Sequence, residues 1–487
     1  MKTKMKNLIK NYYILILFFV ALVVFMLRSS FVLNHPSFYA EDGLWTGLIF
    51  NKGAIWTILN ARQDYYPITI VLMIDLAKHL SAIFFGNDIS TIPVFLYFIS
   101  CVFYSLVAIL PVITLKKRLN KYARLFIYLG ILLLPLGTST TEVLGRTLQT
   151  HFYIWIITLC LLIYRYDHKT TNKFNIFIID IALILLVPTF PSVLLIYGTY
   201  GLIEIYNIIY HYYFYNRGYK EKRITLAKTK EMFICELSKF HIKSLLISAF
   251  IILIFALKIF IRMKNSSMDF GSGMSSNIIE IIVRTFIFPI VYGIYNNLNN
   301  QISLLIIIAF ILFLVAGYFT IKKESRNFYI ILLLAYLSIG VITITTRSSI
   351  TLFLNNYQTS YPDRYYMLTN AMMFFPIGVI ISDWLIQSRQ GLKIFAMLII
   401  FSVLFIAVFN YKKIFRLEKN DLPWITERDF KSQIIDSYNS DNRTNDGNYY
   451  IIEIDPEWEM NLPVKVVDDF VKLKNKAVRS RLWFLVQ

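Results

Sequence analysis

Runs of about 20 apolar residues, broken by short charged loops, recur along most of this chain, and a run of that length matches the hydrocarbon thickness of a bilayer. A helix is the natural form for such a run, because in lipid the backbone N–H and C=O groups must be satisfied within the segment itself. The expected fold class is therefore an all-α polytopic membrane protein. Composition agrees: 57% of the 487 residues are hydrophobic and 16% charged, against about a quarter charged in a soluble chain.

Candidate spans are residues 12–33, 92–115, 123–137, 152–165, 175–188, 191–215, 244–262, 301–321, 327–346, 365–386 and 391–411. Lys and Arg in short loops stay cytoplasmic. With the N-terminus inside, the basic loops KKRLNKYAR (116–124), RYDHKTTNK (165–173), NRGYKEKRITLAKTKEMF (216–233), KKESR (322–326) and SRQGLK (388–393) all fall on the cytoplasmic side. That agreement requires PITIVLMIDLAKHLSAIFF (67–85) not to span. Asp75, Lys78 and His79 sit in its middle, where charge is costly in a bilayer and natural on the polar face of an interfacial helix. The same reasoning makes NIIEIIVRTFIFPIVYGIY (277–295) a lip or re-entrant helix. About eleven spans result, forming a transmembrane domain over 1–411. Residues 412–487 follow as a small extracytoplasmic α/β tail, with a helix around ERDFKSQIIDSY and a strand at YYIIEID. The first apolar run follows a basic N-terminus but lacks a small-x-small cleavage site, so it is read as an uncleaved helix.

The formal charge of +19 lies dispersed in these loops, with no basic stripe interleaved with aromatics, so no nucleic-acid partner is expected. Of three cysteines, Cys101 and Cys160 fall in apolar runs and Cys235 in a basic loop, which gives no disulfide framework or metal cluster.

Function is expected on the outer rim. Basic residues there run against the positive-inside tendency and call for a local reason, such as a bound anion. Arg28, Arg262 and Lys264 lie at span ends, where snorkelling to the interface suffices. Arg146 and His151 in TSTTEVLGRTLQTH, and Arg347 and Arg364 around TRSSITLFLNNYQTSYPDRYY, divide evenly between structural ion pairing and phosphate binding. Just past the first span, HPSFYAEDGLWTGLIFNKGAIWTILNARQDYYP places Glu41 and Asp42 ahead of Lys52, Arg62, Tyr65 and Tyr66. Adjacent carboxylates there serve as a helix cap, as a general base beside a phosphate site, or as both. They are also able to hold a divalent ion, but no further ligands cluster near them, which favours a site without a cofactor. The chain has no G-x-x-x-x-G-K-[ST], H-E-x-x-H or G-x-S-x-G motif and no Asp-x-Asp suited to a metal and a nucleotide diphosphate.

The order of features over the first 115 residues resembles the membrane glycosyltransferases of the GT-C fold. A first span is followed by YAEDG (39–43), a membrane-lying helix, DYYP (64–67), a second lying helix ending in FFG (84–86), and a span beginning near Pro93. The resemblance implies a GT-C-like bundle with interfacial helices in the first outer loop and a polyprenyl-phosphate-linked sugar as donor. It implies a glycan or lipid-linked acceptor and inverting transfer on the outer face, with Asp42 as the base and Glu41 as its neighbour or alternate. Arg146, His151, Arg347 and Arg364, with Lys52, Arg62, Tyr65 and Tyr66, are the expected substrate-binding residues. The competing expectations are a lipid-linked oligosaccharide flippase, for which Glu204 is the main deep charge and Asp180 and Lys258 lie near span ends, and a surface-polysaccharide polymerase.

Overall fold

The computed structural model describes residues 2–198 except 63–64, 87, 137–139, 168–172, 194 and 197, and then residues 277–346, 357, 363–410 and 428–485. The spans read at 244–262 and, for the most part, 191–215 lie outside the described residues, as do Asp64, Glu204, Lys258, Arg262, Lys264 and Arg347. The described chain is mostly helical, with seven helices long and apolar enough to cross a membrane and a two-stranded sheet near the C-terminus.

Among the described residues up to 198 the helices are α1 (Lys2–Arg28), α2 (Ser30–Asn34), α3 (Glu41–Lys52), α4 (Ala54–Asn60), α5 (Ile68–Phe85), α6 (Ile92–Thr114), α7 (Lys121–Leu132), α8 (Thr140–Val143), α9 (Thr150–Asp167) and α10 (Lys173–Thr189). Then come the short α11 (Ile278–Ile282) and α12 (Phe288–Val291), α13 (Asn300–Thr320), α14 (Lys323–Thr346), α15 (Met367–Met372), α16 (Phe374–Ile386) and α17 (Gln390–Phe409). The tail adds α18 (Phe430–Asn439), the antiparallel hairpin β1 (Tyr449–Ile454) and β2 (Trp458–Pro463), and α19 (Val464–Leu485).

Hydrogen bonds identify the two ends of the bundle. At one end Arg118 forks onto Asp167 at 2.5 to 3.1 Å, Asn120 N–H donates to Ser382 Oγ at 2.9 Å, and Lys322 N–H donates to Asp383 Oδ2 at 2.8 Å. Loops that the sequence reading assigns to one side thus meet on one side. At the other end lie Arg28, residues 36–47, 140–151, 188–190 and the tail.

Helix α5 begins and finishes at this second end. Tyr66 N–H donates to the carbonyl of Pro188 at 3.2 Å, beyond α5 Lys474 of the tail pairs with Asp88 at 2.6 Å, and Tyr97 in the first turns of α6 donates to Met26 O at 2.8 Å. A straight helix of 18 residues extends about 27 Å, so α5 lies across the bundle end. Ile70, Val71, Ile74, Ala77 and Ser81 face inward at helical spacing, and Asp75 and His79 pair at 3.5 Å on the rim of that face.

The 277–297 stretch also turns back on itself. Tyr295 O–H donates to Glu280 Oε1 at 2.9 Å, whereas 15 residues of straight helix would separate the two by about 22 Å. A π-helical turn at Val283–Ile287 and a 3-10 turn at Tyr292–Asn297 supply the bend. Glu280 Oε1 also accepts from Tyr357 N–H at 3.0 Å, and Tyr357 O–H donates to Asn300 at 2.8 Å. The stretch therefore enters and leaves beside the first turn of α13. By length and composition it qualifies as a span, as does α5, and its path doubles back on itself.

Two of the apolar clusters frame the site. The larger joins α1, α6, α7, α9 and α14–α16. The smaller, around Trp45, Ile49, Ile74, Ile434, Ile452 and Leu462, is formed by α3, α5 and the tail together.

Candidate functional site

Helix α3 builds the site from its first turn. Its two acids diverge because neighbouring helical positions point about 100° apart. Glu41 turns outward, with its side chain 22% exposed, and meets Arg62 at 3.6 Å. Asp42 turns inward and is 2% exposed. Asp42 Oδ1 accepts from Thr147 Oγ1 at 2.6 Å and Oδ2 from Thr147 N–H at 3.2 Å, with the Leu148 amide aimed at the same carboxylate. Asp42 thus caps the loop entering α9 rather than its own helix.

Burial raises Asp42 from the usual carboxylate range to about 6, against the opposing pull of the Thr147 hydroxyl, Arg146 and the two amides. Arg146 is 3% exposed. It donates through Nη1 to the carbonyl of Ser37 and lies over the Tyr39 ring at 5.7 Å, while its Nε and Nη2 have no hydrogen-bond partner among the described residues. Burial lowers its affinity for a proton, and Asp42, Asp455 and Tyr39 act in the opposite sense. A guanidinium in these surroundings stays charged.

From Tyr39 the network extends through a fully buried Glu142. Tyr39 O–H donates to Glu142 Oε1 at 2.8 Å, and Arg364 Nη1 donates to Glu142 Oε2 at 2.6 Å. Arg364 also reaches the Tyr365 hydroxyl at 3.2 Å. His151 Nδ1 lies 2.6 Å from the carbonyl of Leu148, and its ring stacks on Tyr65 at 5.5 Å and meets Phe190 at 5.3 Å. Arg62 lies over Tyr65 at 5.2 Å. Chemically the cluster offers a buried carboxylate raised to about 6 and an arginine with open N–H groups, lined by aromatic rings.

The structure therefore brings together Asp42, Glu41, Arg146, His151, Arg364, Arg62 and Tyr65, with Tyr66 joined to the adjoining end of α10. Lys52 is not among them. It occupies the last turn of α3 and is exposed, about 15 Å along the helix from Asp42. Arg347 lies outside the described residues. Arg28 does not snorkel: it is buried, and its two Nη groups donate at 2.6 Å to Leu132 and Leu134 carbonyls at the end of α7. Asp180 pairs bidentately with Arg165. Thr147, Ser37 and Asp455 carry contacts that the sequence reading missed. Each acts through a partner more than 100 residues away or through a backbone atom, and no local motif announces that.

Among the described residues no group of three or more His, Cys, Asp or Glu side chains is placed to hold a metal ion. Comparison of the chain with family models, with curated proteins and with solved structures gives no match.

Proposed function

We propose that the chain is a membrane glycosyltransferase of the GT-C type, which moves a sugar from a polyprenyl-phosphate donor to a glycan or lipid-linked acceptor on the outer face of the membrane. The observation that carries this reading is the Asp42 carboxylate, buried, titrating at about 6 and set beside an arginine with two open donor nitrogens. A base poised near the working pH and a cation for an anionic leaving group are the two things such a reaction requires.

In the proposed step the acceptor O–H gives its proton to Asp42 as the oxygen forms a bond to the anomeric carbon. The bond from that carbon to the phosphate oxygen breaks on the opposite face, and the lipid phosphate departs with the electron pair toward Arg146. Asp42 is preferred to Glu41 because the Glu41 carboxylate is paired with Arg62. Arg364 is committed to Glu142 and supports the cradle through Tyr39; His151, Tyr65 and Tyr66 supply an aromatic wall for the donor.

Sidedness supports the same reading. The bundle end opposite Asp42 carries Lys116, Lys117, Arg118, Lys121, Lys322 and Lys323, a basic cluster of the kind that favours a cytoplasmic side. About eleven spans, a cytoplasmic N-terminus, interfacial α3 and α5, a membrane domain over 1–411 and an extracytoplasmic tail over 412–487 complete the proposal.

Comparing surface glycans by mass in cells with and without the chain, then in cells carrying Asp42→Asn, tests it. Loss of one sugar mass in both is expected. Unaltered glycans in the Asp42→Asn cells would remove the base role, and a shortened ladder in place of a single lost sugar would favour a polymerase.

A further inference from the structure

Three observations meet where the tail touches α3. First, the N–H of Ala40 donates to the carbonyl of Asp455 at 2.7 Å, and Ala40 sits at φ 48°, ψ −127°, a conformation that glycine dominates in turns. An alanine held there needs support from outside its own turn. Second, Gly43 and Gly47, one helical turn apart, present bare backbone to the hairpin. A Cβ on Gly43 would lie 2.1 Å from Ile454 Cδ1, and one on Gly47 would lie 2.8 Å from the carbonyl oxygen of Asn461. Third, Asp455 is 1% exposed and its carboxylate accepts from Ser37 Oγ at 3.4 Å, while the charges of Asp455 and Asp42 both act on the Arg146 guanidinium. Arg146 in turn holds the carbonyl of Ser37.

We propose that the C-terminal hairpin is a clamp on the site: it holds the Ala40 turn so that Asp42 faces Thr147 and Arg146, and Asp455 is a positioning residue that fixes Arg146 through Ser37. Asp455 has no part in bond making. Its carbonyl holds the turn that leads into Glu41 and Asp42, and its carboxylate acts on the guanidinium by charge and through Ser37.

The clamp is tested in the full-length chain in native membranes with two variants that lift the hairpin from different points. Gly47→Val collides with Asn461, and Lys474→Glu opposes Asp88 at the far edge of the interface. Reactivity of the Asp42 carboxyl toward a water-soluble carbodiimide and glycine ethyl ester, read by peptide mass, is expected to rise several-fold in both. Adding Ala40→Gly to either variant is expected to recover part of the native protection, because glycine adopts the turn unaided. Unchanged Asp42 reactivity in both variants, or no recovery with Ala40→Gly, overturns the clamp. The glycan readout rests on Asp42 being the base, whereas the labelling does not. Raised labelling with unchanged glycans therefore supports the clamp and sinks the base role instead.

Discussion

At the scale of single residues, one buried carboxylate sets most of the expected behaviour. Asp42→Asn should lower transfer by about 10²–10⁴-fold, the usual contribution of a general base, while Glu41→Gln should lower it far less; turnover in membranes bearing each variant distinguishes the two. The acid limb of the pH profile is expected near the value of about 6 that burial gives Asp42, and it should move with that burial as well as with changes at Thr147 or Arg146. Because the folded value lies above that of an unfolded aspartate, about 3.9, the folded chain holds this proton more tightly. The stabilisation that Asp42 supplies is thus fully present below about pH 4 and is lost as pH rises through about 6. The melting temperature of the native protein should fall across that window relative to Asp42→Asn, and parallel curves would deny the linkage. Arg146→Gln leaves Asp42 without its cation, so its pH limb should shift upward.

Among elements, α3 and α5 and the re-entrant stretch decide where the site stands. An interfacial α5 is expected from Asp75, Lys78 and His79 in its middle, and a re-entrant 277–295 by the same reasoning, since charge is costly in a lipid-facing span, although by length and composition both stretches also qualify as spans. Glu41 and Asp42 were legible as a pair but not in their separate fates, because which of the two faces inward depends on the Thr147 and Leu148 amides about a hundred residues downstream. Burial of Arg28 was illegible for a similar reason: its acceptors are two backbone carbonyls at the end of α7, and a carbonyl leaves no mark in composition. The tail helix and strand were read correctly from residue type, while their seat on α3 rests on Gly43 and Gly47, glycines that a one-dimensional reading assigns to turns. Phe430, edge-on to Phe38 at 4.6 Å, anchors that seat. Phe430→Ala should weaken it by about 3–5 kcal/mol, seen as earlier proteolysis of residues 428–485, with α13 and α17 unaffected.

For the whole molecule, the two bundle ends make a prediction about sidedness. A cysteine at position 441, exposed on the tail, should react with an impermeant maleimide on intact cells, and one at position 323 only after permeabilisation. The reverse pattern would put Asp42 on the cytoplasmic side and defeat the transferase reading. The bond between Ala40 and Asp455 also bears on biosynthesis. The ribosome makes the loop holding the two acids some 415 residues, by the difference of their numbers, before the hairpin turn that it bonds to. On the proposed reading, membrane insertion and activation are separated in time: the preceding helices thread before Asp455 has been made, and Asp42 gains its setting only once the hairpin folds back onto α3.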